Sequence, residues 1–164
     1  MANAVLTLTR DDIGPALKRL QSLGRDTTPV MRAMGNTFKS ITEGNFSSAG
    51  AEYRPTPWAP KRDGSPSSLR QTGLLWHSFH LNVTNKTATL SNPTVYAAIH
   101  QFGGIIRGDP LLKFKVGDQW VSKRSVTIPP RPFYPVSNGR LTVAAEEKIV
   151  AAGMRAVERI ANGK

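Results

Sequence analysis

The sequence contains no cysteine, and this absence excludes several kinds of chemistry. Without cysteine there is no disulfide, no thiolate nucleophile and no cysteine-ligated zinc or iron–sulfur centre. Folding must therefore rest on packing within the chain or against partner subunits. Hydrophobic residues make up 39% of the 164 residues, which predicts a modest core and long loops.

Long apolar runs are also missing. No stretch approaches the roughly 20 apolar residues that cross a bilayer, and the first residues lack the basic start and apolar stretch of a secretory signal. We expect neither a membrane span nor a secreted precursor, and no membrane partner. The length suits one domain, so residues 1–164 are predicted to form a single domain.

Acidic residues are scarce, with 11 Asp and Glu against 22 Lys and Arg. Residues 53–140 hold 12 basic and 3 acidic side chains, so this middle segment carries nine of the eleven net positive charges. A strongly basic segment indicates a phosphate-rich or acidic neighbour. Solubility alone is the other explanation of such a charge.

Apolar spacing predicts three long helices. The first begins at about Asp12, with Leu17 and Leu20 on its apolar side and Gly24 at its end. The second begins with Thr28 as its cap and Pro29 in its first turn. It carries a core stripe of Val30, Met34, Phe38 and Ile41. The third covers residues 141–161. Its predicted apolar side consists of Val143, Val150, Met154, Val157 and Ala161, with Ile149 and Ile160 beside them.

Shorter elements complete the predicted fold. Residues 4–9 alternate as a strand, residues 69–78 form a helical turn, and residues 79–84 and 87–91 form a hairpin. A short helix over residues 96–102 ends where Gly103-Gly104 permits a left-handed turn. A second hairpin turns at Gly117-Asp118. The predicted class is α+β: an antiparallel sheet packed against helices, including a long C-terminal helix, with extended Pro-rich loops.

Two segments are predicted to be extended loops or arms, residues 47–68 and residues 123–139, because each contains four prolines. A loop of about 20 residues in a small domain usually has a function or is mobile. Trp58 lies in the middle of the first loop, and an indole there needs a surface to pack on. It either folds back onto its own domain or docks on a neighbour.

Catalytic patterns are thin. His77 and His80 form an H-x-x-H pair, but it spans a predicted helix-to-strand change with no nearby carboxylate to complete a metal site. His100 has no visible nucleophile as a partner, so a structural role is favoured over proton transfer. No phosphate-binding glycine loop, nucleophile elbow or dinucleotide fingerprint is present. We therefore predict no catalytic residue, no metal, no cofactor and no enzymatic activity.

The second hairpin is the candidate basic surface, formed by Lys113, Lys115, Lys123 and Arg124. Phe114 and Trp120 interleave with these residues, and such a pattern can track a single nucleic acid strand. Alternation favours a half-buried strand with solvated lysines instead. Sequence-specific binding is disfavoured, because no recognition motif accompanies the basic residues, whereas non-specific contact with DNA stays open.

Four short segments occur in a fixed order. They are Trp-Ala-Pro at 58–60, Leu-Arg-Gln-Thr-Gly-Leu-Leu-Trp-His-Ser at 69–78, Tyr-Ala-Ala-Ile-His-Gln-Phe-Gly-Gly at 96–104, and Ile-Pro-Pro-Arg-Pro-Phe at 128–133. Together they resemble the phage virion morphogenesis family, which includes Mu-like protein G and the tail completion protein S group. The sequence departs from the family pattern at Trp76-His77 and at residues 134–136.

The resemblance implies a structural protein of a tailed phage at the head–tail junction, located in the neck or tail of the virion and assembled in the host cytoplasm. It implies a homo-oligomeric ring, with a hexamer favoured, that binds neighbouring neck and tail proteins and has possible non-specific contact with DNA in the channel. A tail terminator or a head-side connector is the alternative within the class, and a basic DNA-binding accessory protein is the alternative outside it.

The candidate interface or loop-anchoring residues are Trp58, Arg70, His100, Gln101, Phe102, Arg131, Pro132 and Phe133. For Arg70 and Arg131 the alternatives are a neighbour's carboxylate, a local salt link or a backbone carbonyl.

Overall fold

The computed structural model describes residues 13–61 and 64–163, so the strand predicted over residues 4–9 lies outside the described part of the chain. The described residues contain both helices and antiparallel strand pairs, which confirms the mixed α+β class. The helices are α1 (Ile13–Arg25), α2 (Thr28–Gly44), α3 (Leu74–His77), α4 (Ala97–Phe102) and α5 (Val143–Ala161). The strands are β1 (His80–Val83), β2 (Ala88–Ser91), β3 (Gly104–Val116), β4 (Gln119–Ile128), β5 (Val136–Ser137) and β6 (Arg140–Leu141).

Helix α2 is the centre of the helical layer and follows the sequence prediction closely. Ile41 is buried, and Met34 and Phe38 pack against it. The N-cap is Thr27, one residue earlier than predicted, and it makes no capping hydrogen bond through its side chain. The Asp26 carboxylate instead accepts the Thr28 N–H at 3.0 Å. Hydrogen bonds from the Thr28 hydroxyl and backbone lower the pKa of Asp26.

The predicted apolar side of α5 is wrong in part, because Ile149 is buried as expected while three of the other predicted residues are exposed. Val143, Val150 and Met154 are exposed, with Val143 exposed over 73% of its surface. The buried face consists of small residues with one isoleucine, namely Ala145, Ile149, Ala152, Gly153 and Ala156. Small side chains let α5 approach α2 closely, and a Cβ on Gly153 would lie 3.0 Å from the Met34 sulfur. The prediction assumed that large apolar side chains line the core, whereas the close contact between α5 and α2 favours small ones.

Helix α1 packs on α5 and ends at Arg25, one residue beyond the predicted Gly24. The Arg19 guanidinium donates two hydrogen bonds to the Ala161 carbonyl, at 3.0 Å from Nε and 2.7 Å from Nη2. Leu17 and Leu20, predicted to lie on the apolar side of α1, are both exposed. No helix within residues 13–61 and 64–163 combines the length and apolarity that a membrane crossing requires.

In the part of the chain that the structure describes, the strands form three separate two-stranded antiparallel sheets where the sequence predicted one sheet. The β1–β2 hairpin pairs His80 with Ser91 and Val83 with Ala88. It packs on α2 at Gly35, where a Cβ would lie only 2.9 Å from Leu81 Cδ1. The short β5–β6 hairpin leads directly into α5.

The β3–β4 hairpin is much longer than predicted. Gly104 pairs with Ile128 at its base, and Val116 pairs with Gln119 at the predicted turn. The register shifts between Arg107 and Leu112, where β3 carries extra residues in a bulge. Residues 123–128 belong to β4 and residues 136–137 form β5, so the predicted extended loop over 123–139 is wrong in these two parts. Prolines begin only at Pro129, so the preceding residues keep the N–H groups that a ladder needs.

In its described residues, the loop over 47–68 contains one regular element, the 3₁₀ helix Ser48–Tyr53. Its described remainder, through residue 61 and from residue 64, has no helix or strand. Helix α3 covers only four residues of the helical turn predicted over 69–78. Helix α4 ends at Phe102 as predicted. Gly103, at φ 71° and ψ 179°, is not the predicted left-handed turn but an extended conformation with positive φ. A Cβ there would lie 2.8 Å from Pro130 Cδ.

Candidate functional site

The four sequence motifs converge on one aromatic cluster. Its buried members are Phe46, Leu75, Phe79, Ala97 and Phe133, and partly buried rings including Trp58 and Tyr134 pack around them. The Phe133 ring, with no exposed surface, lies 5.4 Å from the Phe46 ring and 5.7 Å from the Phe79 ring. Tilted and edge-on ring contacts at these distances are favourable. The motifs therefore meet in the interior of the chain.

Gln101 connects helix α4 to the proline-rich segment that contains Phe133. Its buried side-chain carbonyl Oε1 accepts the N–H groups of Phe133 and Tyr134, each at 3.0 Å. The neighbouring His100 backbone carbonyl accepts the Arg131 N–H at 2.7 Å. Prolines leave the segment few hydrogen bonds of its own, so α4 supplies the partners that hold it in place.

Trp58 folds back onto its own chain, the first of the two alternatives that the sequence leaves open. Its indole Nε1 donates to the Pro132 carbonyl at 2.8 Å, and its ring meets the Phe46 ring edge-on at 5.8 Å. The Arg54 guanidinium carbon lies 4.0 Å from the indole ring centroid. Pro132 itself is buried beneath this contact. The long loop is thus anchored at its middle by a hydrogen bond, a ring contact and a cation–π contact.

Asn45 and Arg54 also fix this region, although sequence reasoning did not select them. The buried Asn45 Nδ2 donates to the Phe133 carbonyl at 2.8 Å. Arg54 donates through Nε to the Asn45 carbonyl at 2.8 Å and through Nη2 to the Ser47 carbonyl at 2.9 Å. Desolvation lowers the pKa of Arg54. No sequence motif marks these residues, because their partners are backbone carbonyls: for Asn45 the carbonyl lies 88 residues away, and for Arg54 the carbonyls belong to a loop without regular spacing.

The two motif arginines differ in their contacts. Arg131 donates to backbone carbonyls of the Trp58 loop, at 3.2 Å to Ala59 and 3.4 Å to Pro60, which is the carbonyl alternative of the sequence analysis. Arg70 places its guanidinium carbon 3.9 Å from the centroid of the Trp76 ring. Neither arginine pairs with a carboxylate within residues 13–61 and 64–163. Both line an open cleft of about 810 Å³ that also borders Lys61 and the Val116–Gly117 turn.

The histidines do not meet in one site. His100 is half-buried and its ring lies 6.0 Å from the Tyr96 ring, edge-on. Desolvation, with a smaller contribution from the charge of Arg131, lowers the pKa of His100. His77 and His80 are exposed, one on α3 and one on β1. Within the described residues, no three His, Asp or Glu side chains cluster as metal ligands would.

Phe102 differs from the other candidate interface residues because 78% of its surface is exposed. It lies at the end of α4, next to the base of the β3–β4 hairpin. The candidate basic surface lies further along that hairpin. Lys113 pairs across the strands with Ser122, Lys115 with Trp120, and Lys123 with Leu112. Alternation therefore places Lys113, Lys115, Trp120 and Arg124 on one face, and Lys123 on the other.

This arrangement defines a mixed α+β protein whose motif side chains pack against one another and stabilise the fold. Basic and apolar side chains are exposed on the β3–β4 hairpin. The chain belongs to the phage virion morphogenesis family, whose model matches residues 9–151. It is 33% identical over 122 residues to the Mu-like prophage FluMu G protein 2 of Haemophilus influenzae, covering 74% of this chain and 75% of that protein. No solved structure gives a significant match. Family membership supports a tail-related structural role in virion morphogenesis.

Proposed function

We propose that this protein is a tail completion subunit that acts at the head–tail junction of a tailed phage. In this role copies of the chain form a ring, with six subunits favoured, that binds the tail on one side and the head connector on the other. The observation that carries the proposal is the family match over residues 9–151. A tail terminator or head-side connector would use the same ring geometry and is the nearest alternative.

The structure supports a binding role through what it leaves exposed. Trp120 is 76% exposed on the β3–β4 hairpin, and Phe102 and Val143 are similarly exposed elsewhere. Large apolar side chains in contact with water mark surfaces that bind other proteins when they form patches. The modest core is consistent with a subunit that gains further stability from its neighbours.

A DNA-binding accessory protein is the second candidate, and the basic hairpin face is the observation that favours it. Lys113, Lys115 and Arg124 lie on the same hairpin face as the exposed Trp120 indole. The basic side chains would contact phosphates, and the indole would stack on a base of a single strand. In the ring proposal the same face lies at a protein interface or beside DNA in the channel. The two functions differ in how binding responds to salt.

Light scattering of the purified protein, at physiological and at high salt, with and without duplex DNA, tests the proposal. We expect a salt-resistant multimer whose mass is unchanged by DNA, and for a hexamer six times 17.9 kDa, or about 107 kDa. A monomer that binds DNA only at low salt would favour the accessory protein, because phosphate contacts weaken steeply as salt rises. A monomer that ignores DNA would contradict assembly of a ring from free subunits.

A further inference from the structure

The β3–β4 hairpin exposes apolar surface along its length. Its strands pair chiefly with each other, and Ile105, Leu111, Val116 and Trp120 are all exposed. A two-stranded ribbon is marginally stable alone in water and gains stability when one face is covered. The hairpin therefore has the composition of an arm that packs on another surface.

Charge distinguishes one face of this arm. Lys113, Lys115 and Arg124 lie on the same face as Trp120, by the cross-strand register and the alternation of β4. Lys115 lies 3.5 Å from Asp118 in an exposed ion pair, which contributes little. Lys113 and Arg124 make no ion pair within the described residues. This hairpin face combines a large aromatic ring with a net positive charge.

Helix α5 presents a surface of the opposite character. Opposite its buried alanine face, Glu147, Val150, Met154 and Glu158 follow one another at intervals of three and four residues, so they form a single stripe. Met154 is 58% exposed. Neither glutamate forms an ion pair with a basic side chain within residues 13–61 and 64–163. The stripe is an apolar pair bracketed by two unpaired carboxylates.

We propose that the Trp120 face of the β3–β4 hairpin docks on the Glu147–Glu158 stripe of α5 in a second copy of this chain. Trp120 would lie over Val150 and Met154 while the basic residues face the two glutamates. The charge spacings agree: Glu147 and Glu158 are about 16 Å apart along a helix, and Lys115, which pairs with Trp120, lies about 14 Å along the strands from Arg124.

Two different surfaces of one chain that bind each other make a head-to-tail contact, which produces a closed ring when the rotation between subunits closes. This inference rests on the proposed function, because it names the two surfaces of the ring contact. It also assigns the basic hairpin face to an acidic protein surface in preference to DNA. The apolar centre accounts for the salt resistance expected of the ring, and the charges set its register.

Disulfide trapping tests the contact directly, since the chain has no cysteine of its own. Trp120→Cys protein is mixed with Met154→Cys protein, oxidised, and analysed for the mixed dimer. We expect a mixed disulfide dimer that forms much faster than the dimer between Trp120→Cys and Val95→Cys. Val95 is an exposed control position between β2 and α4, outside both surfaces. Equal rates for the two pairs would overturn the proposed contact.

Charge reversal provides a second, independent test. Lys113→Glu with Arg124→Glu, or Glu147→Lys with Glu158→Lys, should each weaken self-association by about tenfold or more, because like charges then face each other. Mixing the two reversed proteins restores opposite charges at every contact and should restore the multimer. Lys86→Glu, in the β1–β2 turn, is the matched control and should leave association unchanged.

The outcomes separate the two proposals. If the wild-type protein forms a multimer but the reversals have no effect, the docking surfaces are wrong and the ring stands. If the wild-type protein stays a monomer and gives no specific cross-link, both the ring of free subunits and this contact are overturned. Rescue on mixing, together with the mixed disulfide dimer, would establish the head-to-tail arrangement.

Discussion

Phe133 and Trp120 are both large aromatic residues in or near the basic middle of the chain, yet the structure uses them in opposite ways. Phe133 is fully buried among rings contributed by several segments, whereas Trp120 lies on the outside of a hairpin and is 76% exposed. Phe133 ends one of the four family-like motifs, and Trp120 lies outside all of them. The comparison indicates that the motif side chains around Phe133 maintain the fold, whereas the proposed docking face around Trp120 lies outside the motifs.

The substitution Phe133→Ala tests how much the buried aromatic cluster stabilises the fold. Removing a fully buried phenyl ring from the aromatic cluster should lower the free energy of unfolding by about 3–5 kcal/mol. Urea titration followed by tryptophan fluorescence or circular dichroism measures this change. Phe102→Ala is the matched control, and it should change stability by less than about 0.5 kcal/mol because the ring is exposed. Equal losses in the two variants would contradict the placement of Phe133.

Gln101→Leu tests the polar part of the same cluster. Leucine fits a similar volume but leaves the Phe133 and Tyr134 N–H groups without their acceptor, at a cost of about 1–3 kcal/mol. The urea midpoint should fall, and hydrogen exchange at these two amides should accelerate. Gln71→Leu, on an exposed loop, should do neither. Unchanged exchange at both amides would show that Gln101 is not their acceptor.

Much of the fold could be predicted from local patterns. The stripe on α2, the β1–β2 hairpin and the end of α4 follow from spacing and from glycine positions close along the chain. The face of α5 could not be predicted, because it depends on how closely α2 approaches, and that distance favours alanine and glycine over valine. The roles of Trp58 and Arg131 also stayed open, because their partners are backbone carbonyls more than 70 residues away in sequence.

Two helix glycines lie in opposite environments: Gly35 is closely packed and Gly24 has open space around it. Gly35→Ala would place a Cβ 2.9 Å from Leu81 Cδ1 and 3.0 Å from Ala88 Cβ, which should cost about 1–3 kcal/mol through overpacking. Gly24→Ala in α1 meets nothing within 4 Å and should stabilise the protein by about 0.5–1 kcal/mol, because alanine favours helix. Thermal denaturation of the two variants measures whether each substitution stabilises or destabilises the protein. Stabilisation by both substitutions would contradict the packing of β1–β2 on α2.

His100 gives the cluster a pH dependence. Its folded pKa is lowered, so in mildly acid solution the unfolded chain binds more protons and stability falls. The loss should begin as pH drops below the unfolded value of about 6.5 and should not exceed about 1.4 kcal/mol per pH unit. Urea titrations from pH 7.5 to 5.5 should show a smaller slope for His100→Gln than for wild type. A slope that is unchanged in His100→Gln would contradict this role of His100.

Substitution of Trp120 on the hairpin should have the smallest effect on folding, in contrast to substitutions in the buried cluster. In dilute solution, Trp120→Ser should change the free energy of unfolding by less than about 0.5 kcal/mol, because its indole contributes little to the isolated subunit. Trp58→Ser removes the hydrogen bond to Pro132 and the contact with Phe46, so it should destabilise the subunit clearly more. Self-association should respond in the opposite order, with Trp120→Ser reducing multimer formation while the subunit stays folded. A Trp120→Ser protein that unfolds as readily as Trp58→Ser would place the hairpin in the folding core and remove the distinction between the two regions.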